Sequence, residues 1–476
     1  MKGVEAMTGR HLMVTAFTAL MVAIVVIGWQ SFSREIRSPV MDEHCYVAIA
    51  SDLSAYGTFT NGCFKAKDEA IVPGRFFGPA YPLFIAALSA ADERLRSTIK
   101  CHAENPGGRG AECPKHFHSL IAVQVLLAAF GVFFIFLTAR EISQSEAVAW
   151  LSLALVLGAS EVGYYARTYL TENLALVSFF AFLYFLTRTV SRDEGWTAAA
   201  AGAALALAAL SRPAYLYLFP FVAGGVVIAL HYQKQRPWRR GMRQASILLL
   251  AGMLVMSPWL VRNLVLFGDP LLTRGYDALS IAFRVSYNAM SWSEWAVSFV
   301  FWLPDFGDKL SQAVFAPSLY ERFSTTYPHG FYLMGKQLYK ESLVAAGSPD
   351  TQTSYLVHKY IFADFLKHVL VSLTLALRGM WVGKYLALVG FVLIPPVAVW
   401  MWRDGRLWPF LALILPPLFM VGLHGFVSVN VVRYNVPMLA VFAFTLSVAI
   451  VRLVRLVPRW RNRLSADQPV STRGVH

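Results

Sequence analysis

HLMVTAFTALMVAIVVIGWQSFSREIRSPVMDEHCYVAIASDL (11–53) joins an apolar stretch of bilayer length to a pair of carboxylates. His11–Trp29 is apolar enough to cross a membrane, which takes about 20 residues. Asp42 and Glu43 follow where that helix leaves the hydrocarbon. A carboxylate at the centre of a membrane helix costs roughly 2.5–3.5 kcal/mol. An acidic pair so close to the membrane is therefore either a solvated loop start or a functional group. No small-residue cleavage site precedes the polar flank IGWQSFSREIR (27–37), so the stretch reads as a retained helix rather than a signal peptide.

The rest of the chain has the same character. Of 476 residues, 57% are hydrophobic and 15% charged, against about 25% charged in an ordinary soluble domain. The apolar residues fall in blocks near 11–29, 118–138, 147–163, 172–188, 196–211, 214–231, 244–262, 384–402, 408–424 and 436–454. This predicts an all-α polytopic membrane protein of about 10–12 transmembrane helices, because backbone groups in lipid must be satisfied within their own segment. The net charge of +14 does not indicate nucleic acid. Arg and Lys concentrate in HYQKQRPWRRGMRQ (231–244) and RLVRLVPRWRNR (452–463), each beside an apolar span. That is the positive-inside pattern, and anionic headgroups account for the remainder.

With both termini cytoplasmic, the basic loops face inward and the segment 30–117 faces outward. All four cysteines, Cys45, Cys63, Cys101 and Cys113, lie in that outer segment. Their confinement there predicts disulfides in an oxidising compartment, and no zinc-type spacing competes. Sequence proximity favours Cys45–Cys63 and Cys101–Cys113 among three connectivities. The expected organisation is a membrane module over 1–262, a second outer segment over 263–383, and C-terminal spans with a basic tail over 384–476. Within the second outer segment, WSEWAVSFVFWLPDF (292–306) and FLKHVLVSLTLALRGMWV (365–382) read as interfacial or re-entrant helices.

This topology gathers charged residues from distant segments on the outer face. Asp42 and Glu43 follow the first span, Arg75 stands in GRFFGPAYPLF (74–84), and Glu172 opens a span in ARTYLTENLAL (166–176). Arg212 lies in SRPAY (211–215), Arg262 in SPWLVRNLVLFGD (257–269) and Arg433 in VVRYNVPM (431–438). Singly, each arginine is explained by snorkelling to headgroups. Glu172 is explained by the favourable end of a helix dipole. As a set, paired guanidinium donors around carboxylates suit a phosphate, a leaving group and a base.

MDEHCYVAIASDL (41–53) resembles the acidic motif that opens the first external loop of GT-C glycosyltransferases. GRFFGPAYPLFIAAL (74–88), LTENLALVSFFAFLYFL (170–186), AALSRPAYLYLFP (208–220), SPWLVRNLVLFGDPLLT (257–273) and RYNVPMLAVFAF (433–444) resemble the later landmarks in order. Bacterial protein O-mannosyltransferases and lipid A aminoarabinose transferases are the most similar members. The resemblance implies a GT-C-type bundle with two large extracytoplasmic loops in the inner membrane of the cell envelope. It implies an inverting transfer of sugar from a polyprenyl-phosphate donor to a glycan, lipid or protein acceptor on the outer face. In that pattern Asp42 matches the base, Glu43 its partner and Glu172 a second acid. Arg75, Arg212, Arg262 and Arg433 match positions around the donor phosphate.

No glycine-rich phosphate loop of the Walker type is present. Asp42, Glu43, Glu172 and His44 carry ligand types for a divalent metal, which the sequence leaves open. A transporter or flippase, and a polymerase or ligase of lipid-linked saccharides, share the size and membrane location. Transporters place ionisable groups near the midplane on broken helices. Here the acids sit at helix ends.

Overall fold

A computed structural model describes residues 2–64, 71–105, 113–234 and 237–466. The tips of the cysteine-bearing segment (65–70 and 106–112) and the tail beyond 466 lie outside the described residues. The chain is helical, in the order α1 (Lys2–Phe32), α2 (Asp42–Tyr56), α3 (Ala80–Ala91), α4 (Glu93–Glu104), α5 (His118–Ser143), α6 (Glu146–Gly158) and α7 (Glu161–Ala166). There follow α8 (Glu172–Arg192), α9 (Gly195–Ser211), α10 (Leu218–Lys234), α11 (Trp238–Phe267), α12 (Tyr276–Val285), α13 (Trp292–Phe301) and α14 (Gly307–Val314). Last come α15 (Phe331–Ala346), α16 (Pro349–Leu356), α17 (Phe365–Met380), α18 (Tyr385–Val392), α19 (Ile394–Arg403), α20 (Leu407–Val427) and α21 (Met438–Ala466).

Among the described residues, eight helical stretches are long and apolar enough to cross a membrane, and α18–α19, bent by 46°, makes a ninth. The protein is a multi-pass membrane protein. Two expected spans are apolar helices of fewer than 18 residues. The stretch 147–163 breaks after Gly158, where Ser160 takes φ 57° and the chain restarts as α7. The stretch 196–211 becomes the 17-residue α9, which packs against both α8 and α11. Small side chains make that closeness feasible, since a Cβ on Gly202 would strike the Leu248 carbonyl of α11.

The turns between spans separate into two ends. At one end, Arg192 pairs with Glu141 at 3.0 Å, Arg240 with Asp193 and Arg452 with Asp404. Arg406 also donates to the Ser143 carbonyl there. At the other end lie α2–α4, held by Cys45–Cys63 and Cys101–Cys113 disulfides. The basic turns and the disulfides are thus on opposite ends of the bundle.

Residues 276–380 fold as α12–α17 around two small cores, one including Tyr287, Met290, Trp302, Phe323, Phe331 and Leu375 and the other Ala282, Val285 and Leu356. Pro349–Met380 passes the test of length and composition for a span. Its contacts describe something else. His368, near the start of α17, bonds the Phe426 carbonyl at 3.0 Å, and Gly379, near its end, accepts from Asn435 at 3.1 Å. Both ends of α17 therefore meet the same end of the bundle, so it lies across the tips of α20 and α21 instead of crossing beside them. The main core, meanwhile, is continuous from α1 through α21.

Candidate active site

Asp42 and Glu43 are adjacent in sequence and separated in space. Neighbouring helical positions do not share a face. Met41 turns the chain into α2 at φ 48°, a conformation that costs of order 1–3 kcal/mol outside glycine. Glu43 then points inward and is buried. Arg37 grips it with two bonds, at 2.6 and 2.5 Å. The backbone N–H groups of Val40 and Tyr169 donate to it at 2.9 and 3.2 Å. Asp42 faces the other way, with its side chain 51% exposed. The Cys45–Cys63 bridge anchors the same helix one turn further on.

Five segments bring charge to one cavity of ≈ 400 Å³ at the disulfide end of the bundle, with Asp277 supplied by the first turn of α12. Asp42 comes from α2, Glu172 from the first turn of α8, Arg212 from the end of α9, and Arg433 from the turn between α20 and α21. Arg433 Nη2 donates to Asp42 Oδ2 at 2.9 Å, and its Nε lies 3.8 Å from Glu172 Oε1. Arg212 Nη1 donates to the same Glu172 oxygen at 3.3 Å. Both guanidiniums lie against Tyr434, at 4.6 and 5.3 Å from its ring centre. Burial pulls each guanidinium down. Glu172 and Tyr434 raise both, with Asp42 adding to Arg433, so each ends above its ordinary value and stays cationic. Tyr46, on the wall, is held as a neutral phenol by burial, reinforced by Glu172 and Asp42.

Apolar side chains complete the lining, among them Leu170, Leu216, Leu271, Leu272, Ile281 and Val427. A wall of this kind beside two fixed cations suits an amphiphile with an anionic head. Of the three acids, Glu172 is buried and held between guanidiniums, Asp277 accepts from the Gly275 N–H and the Thr353 hydroxyl, and Asp42 is half-exposed with Arg433 as its ionic partner. Asp42 is the acid beside the two guanidiniums whose side chain remains accessible.

Arg75 and Arg262 are not part of this lining. Arg75 forms a two-pronged pair with Asp269 and lies 4.4 Å from the centre of the Phe267 ring. Arg262 donates to the carbonyls of Gly74 at 3.0 Å and Phe59 at 3.2 Å, with its guanidinium over Trp259. Together they tie the segment 59–75 to the end of α11. Cavity residues that the sequence reading did not single out include Tyr46, His424 and Tyr434. His424 stands within an apolar span, and an ionisable group there is itself a signal of function.

Among the described residues, no three His, Cys, Asp or Glu side chains converge as metal ligands. Glu43 is committed to Arg37, so Asp42, Glu43, Glu172 and His44 do not form a ligand set.

A family model described as dolichyl-phosphate-mannose-protein mannosyltransferase matches residues 114–261. The archaeal oligosaccharyltransferase AglB from Archaeoglobus fulgidus was solved in complex with an inhibitory peptide and a dolichol-phosphate. It matches 97% of this chain at 11% identity with a TM-score of 0.50, and this chain spans 52% of its length. ArnT from Cupriavidus metallidurans, bound to undecaprenyl phosphate, matches 90% of this chain and 77% of its own at 14% identity, with a TM-score of 0.34. No curated protein matches the chain significantly. At such identities the likeness to AglB is one of fold alone.

Proposed function

We propose that this protein transfers a sugar from a polyprenyl-phosphate donor to an acceptor on the extracytoplasmic face, with inversion. The observation that carries the reading is the single cavity in which Asp42, Glu172, Arg212 and Arg433 meet beside an apolar wall. The disulfides at this end and the basic turns at the other support its placement outside, with both termini inside. A lipid-linked substrate keeps its tail in the bilayer while its head reaches the cavity.

The acceptor hydroxyl or amine attacks the anomeric carbon from the side opposite the phosphate. Asp42 takes the acceptor's proton as the new bond to carbon forms. The bond from the anomeric carbon to the phosphate oxygen breaks, and its electron pair leaves with the polyprenyl phosphate. Negative charge therefore grows on the phosphate, where Arg212 and Arg433 retain unused N–H donors. Guanidiniums already held in place do not reorganise as that charge develops. Glu172 is the residue that holds them, so its role is positioning.

The direct test supplies purified protein with radiolabelled undecaprenyl-phosphate sugars and measures released undecaprenyl phosphate and labelled acceptor. Stoichiometric release of both is expected. Movement of intact donor across a vesicle membrane without release would replace the transferase reading with a transporter.

A further inference from the structure

We propose that His424 determines sugar specificity, its Nε2 accepting a hydrogen bond from a hydroxyl of the transferred sugar. The proposal rests on the cavity being the donor site. It is carried by a chain of buried amides whose orientations leave the imidazole one arrangement.

The chain begins at Asn430, which is fully buried. Its Nδ2 donates to the main-chain carbonyls of Leu375 at 2.9 Å and Val421 at 3.2 Å. A carbonyl only accepts, so this amide cannot be turned over, and Asn430 Oδ1 must face Asn435. Asn435 therefore presents Nδ2 to it, at 2.5 Å, and the same nitrogen donates to the Gly379 carbonyl at 3.1 Å. Asn435 Oδ1 is left facing His424 Nδ1 at 3.2 Å. An amide oxygen there requires the imidazole proton on Nδ1. Gly379 makes room for the chain, since a Cβ would run into both asparagine side chains.

With Nδ1 donating, Nε2 of the neutral ring carries a lone pair. His424 is 4% exposed and lines the cavity, and its Nε2 has no hydrogen-bond partner among the described residues. Two buried amides thus fix one tautomer of His424 and aim an acceptor at the substrate space. A simple packing role for His424 would need neither.

The chemistry of that acceptor selects its partner. A phosphodiester offers only lone pairs and would be repelled, whereas each sugar hydroxyl offers a donor. The imidazole lies 5.3 Å from the Tyr434 ring, on whose surface Arg212 and Arg433 rest. The imidazole therefore shares the Tyr434 ring with the two cations proposed to hold the phosphate, which sets it beside the place of the attached sugar.

The test titrates purified full-length protein with undecaprenyl phosphate, then with its mannosyl, glucosyl and galactosyl derivatives. The derivative bound best by the wild type serves as probe. In H424F, affinity for undecaprenyl phosphate should be unchanged. The advantage of the probe over undecaprenyl phosphate should fall about 2- to 12-fold, the value of one net hydrogen bond. H424Q, which restores an acceptor at similar reach, should recover most of it. If H424F does not fold, H424M replaces it with the same expectations. An unchanged advantage in the variant, or a wild type with no advantage for any derivative, overturns the proposal. So does an equal loss for plain undecaprenyl phosphate, which would make His424 a phosphate contact. A wild type that does not bind undecaprenyl phosphate at all would instead remove the donor-site reading beneath it.

Discussion

Replacing Asp42 with Asn should separate chemistry from everything else this cavity does. The amide keeps the size of the carboxylate and an oxygen that Arg433 Nη2, now at 2.9 Å, can still reach. The Asp42 side chain is 51% exposed and that of Arg433 32%, so their ion pair is solvent-screened. Loss of such a pair costs about 0.2–1 kcal/mol of stability. Donor binding should hold or tighten slightly, because a negative charge leaves the neighbourhood of the phosphate. Turnover should fall by about 10²–10⁴-fold, the usual contribution of a positioned base. Glu172→Gln is the contrast. Glu172 is buried between Arg212 and Arg433, and breaking a buried pair costs about 3–5 kcal/mol. That variant should lose thermal stability while gaining affinity for undecaprenyl phosphate through its uncompensated guanidiniums. Single-turnover transfer, lipid titration and thermal unfolding in one detergent make the comparison. Parental transfer by Asp42→Asn would refute its role as base, and an Asp42→Asn protein as destabilised as Glu172→Gln would refute the division of labour.

Arg212→Lys and Arg433→Lys keep the charge but lose the forked donors, so each should weaken undecaprenyl phosphate binding more than it lowers folded yield; lipid titration beside size-exclusion profiles shows which changes. Replacing Cys45 and Cys63 together with Ser should cost about 3 kcal/mol, as expected for closing a loop of this length, and should loosen the helix that carries Asp42. Turnover should then fall with donor binding retained, and unaltered turnover and melting would disprove the anchoring role. Arg75 holds the Asp269 carboxyl below its ordinary value, helped by the Leu271 N–H. A depressed carboxylate contributes stability that is complete above the unfolded value of about 3.9 and lost as pH falls through the folded one. The wild type should therefore lose an increment of stability below about pH 4 that Asp269→Asn lacks, as measured by unfolding across an acid series.

The membrane character, the helical class and the separation of basic turns from cysteines are all legible in the sequence. They depend on composition over bilayer-length windows and on charge beside each window, and neither needs a partner from elsewhere in the chain. The acids and arginines at helix ends are visible in the same way, and the resemblance of their strings orders them. What one dimension cannot resolve is direction. Asp42 and Glu43 look equivalent until α2 forms and turns one toward the cavity and the other onto Arg37. Arg212 closes α9 and Arg262 lies near the end of α11, yet the first meets Glu172 and the second meets two main-chain carbonyls 188 and 203 residues away. Likewise α17 has the composition of a span and lies across the bundle tip, because it is bonded at its start to the end of α20 and along its length to Asn430 and Asn435 in the turn between α20 and α21. Local pattern determined which residues are apolar, charged or helix-ending. Only the packing of distant helices decided which charges meet, since long-range contacts set the direction in which each side chain leaves its helix.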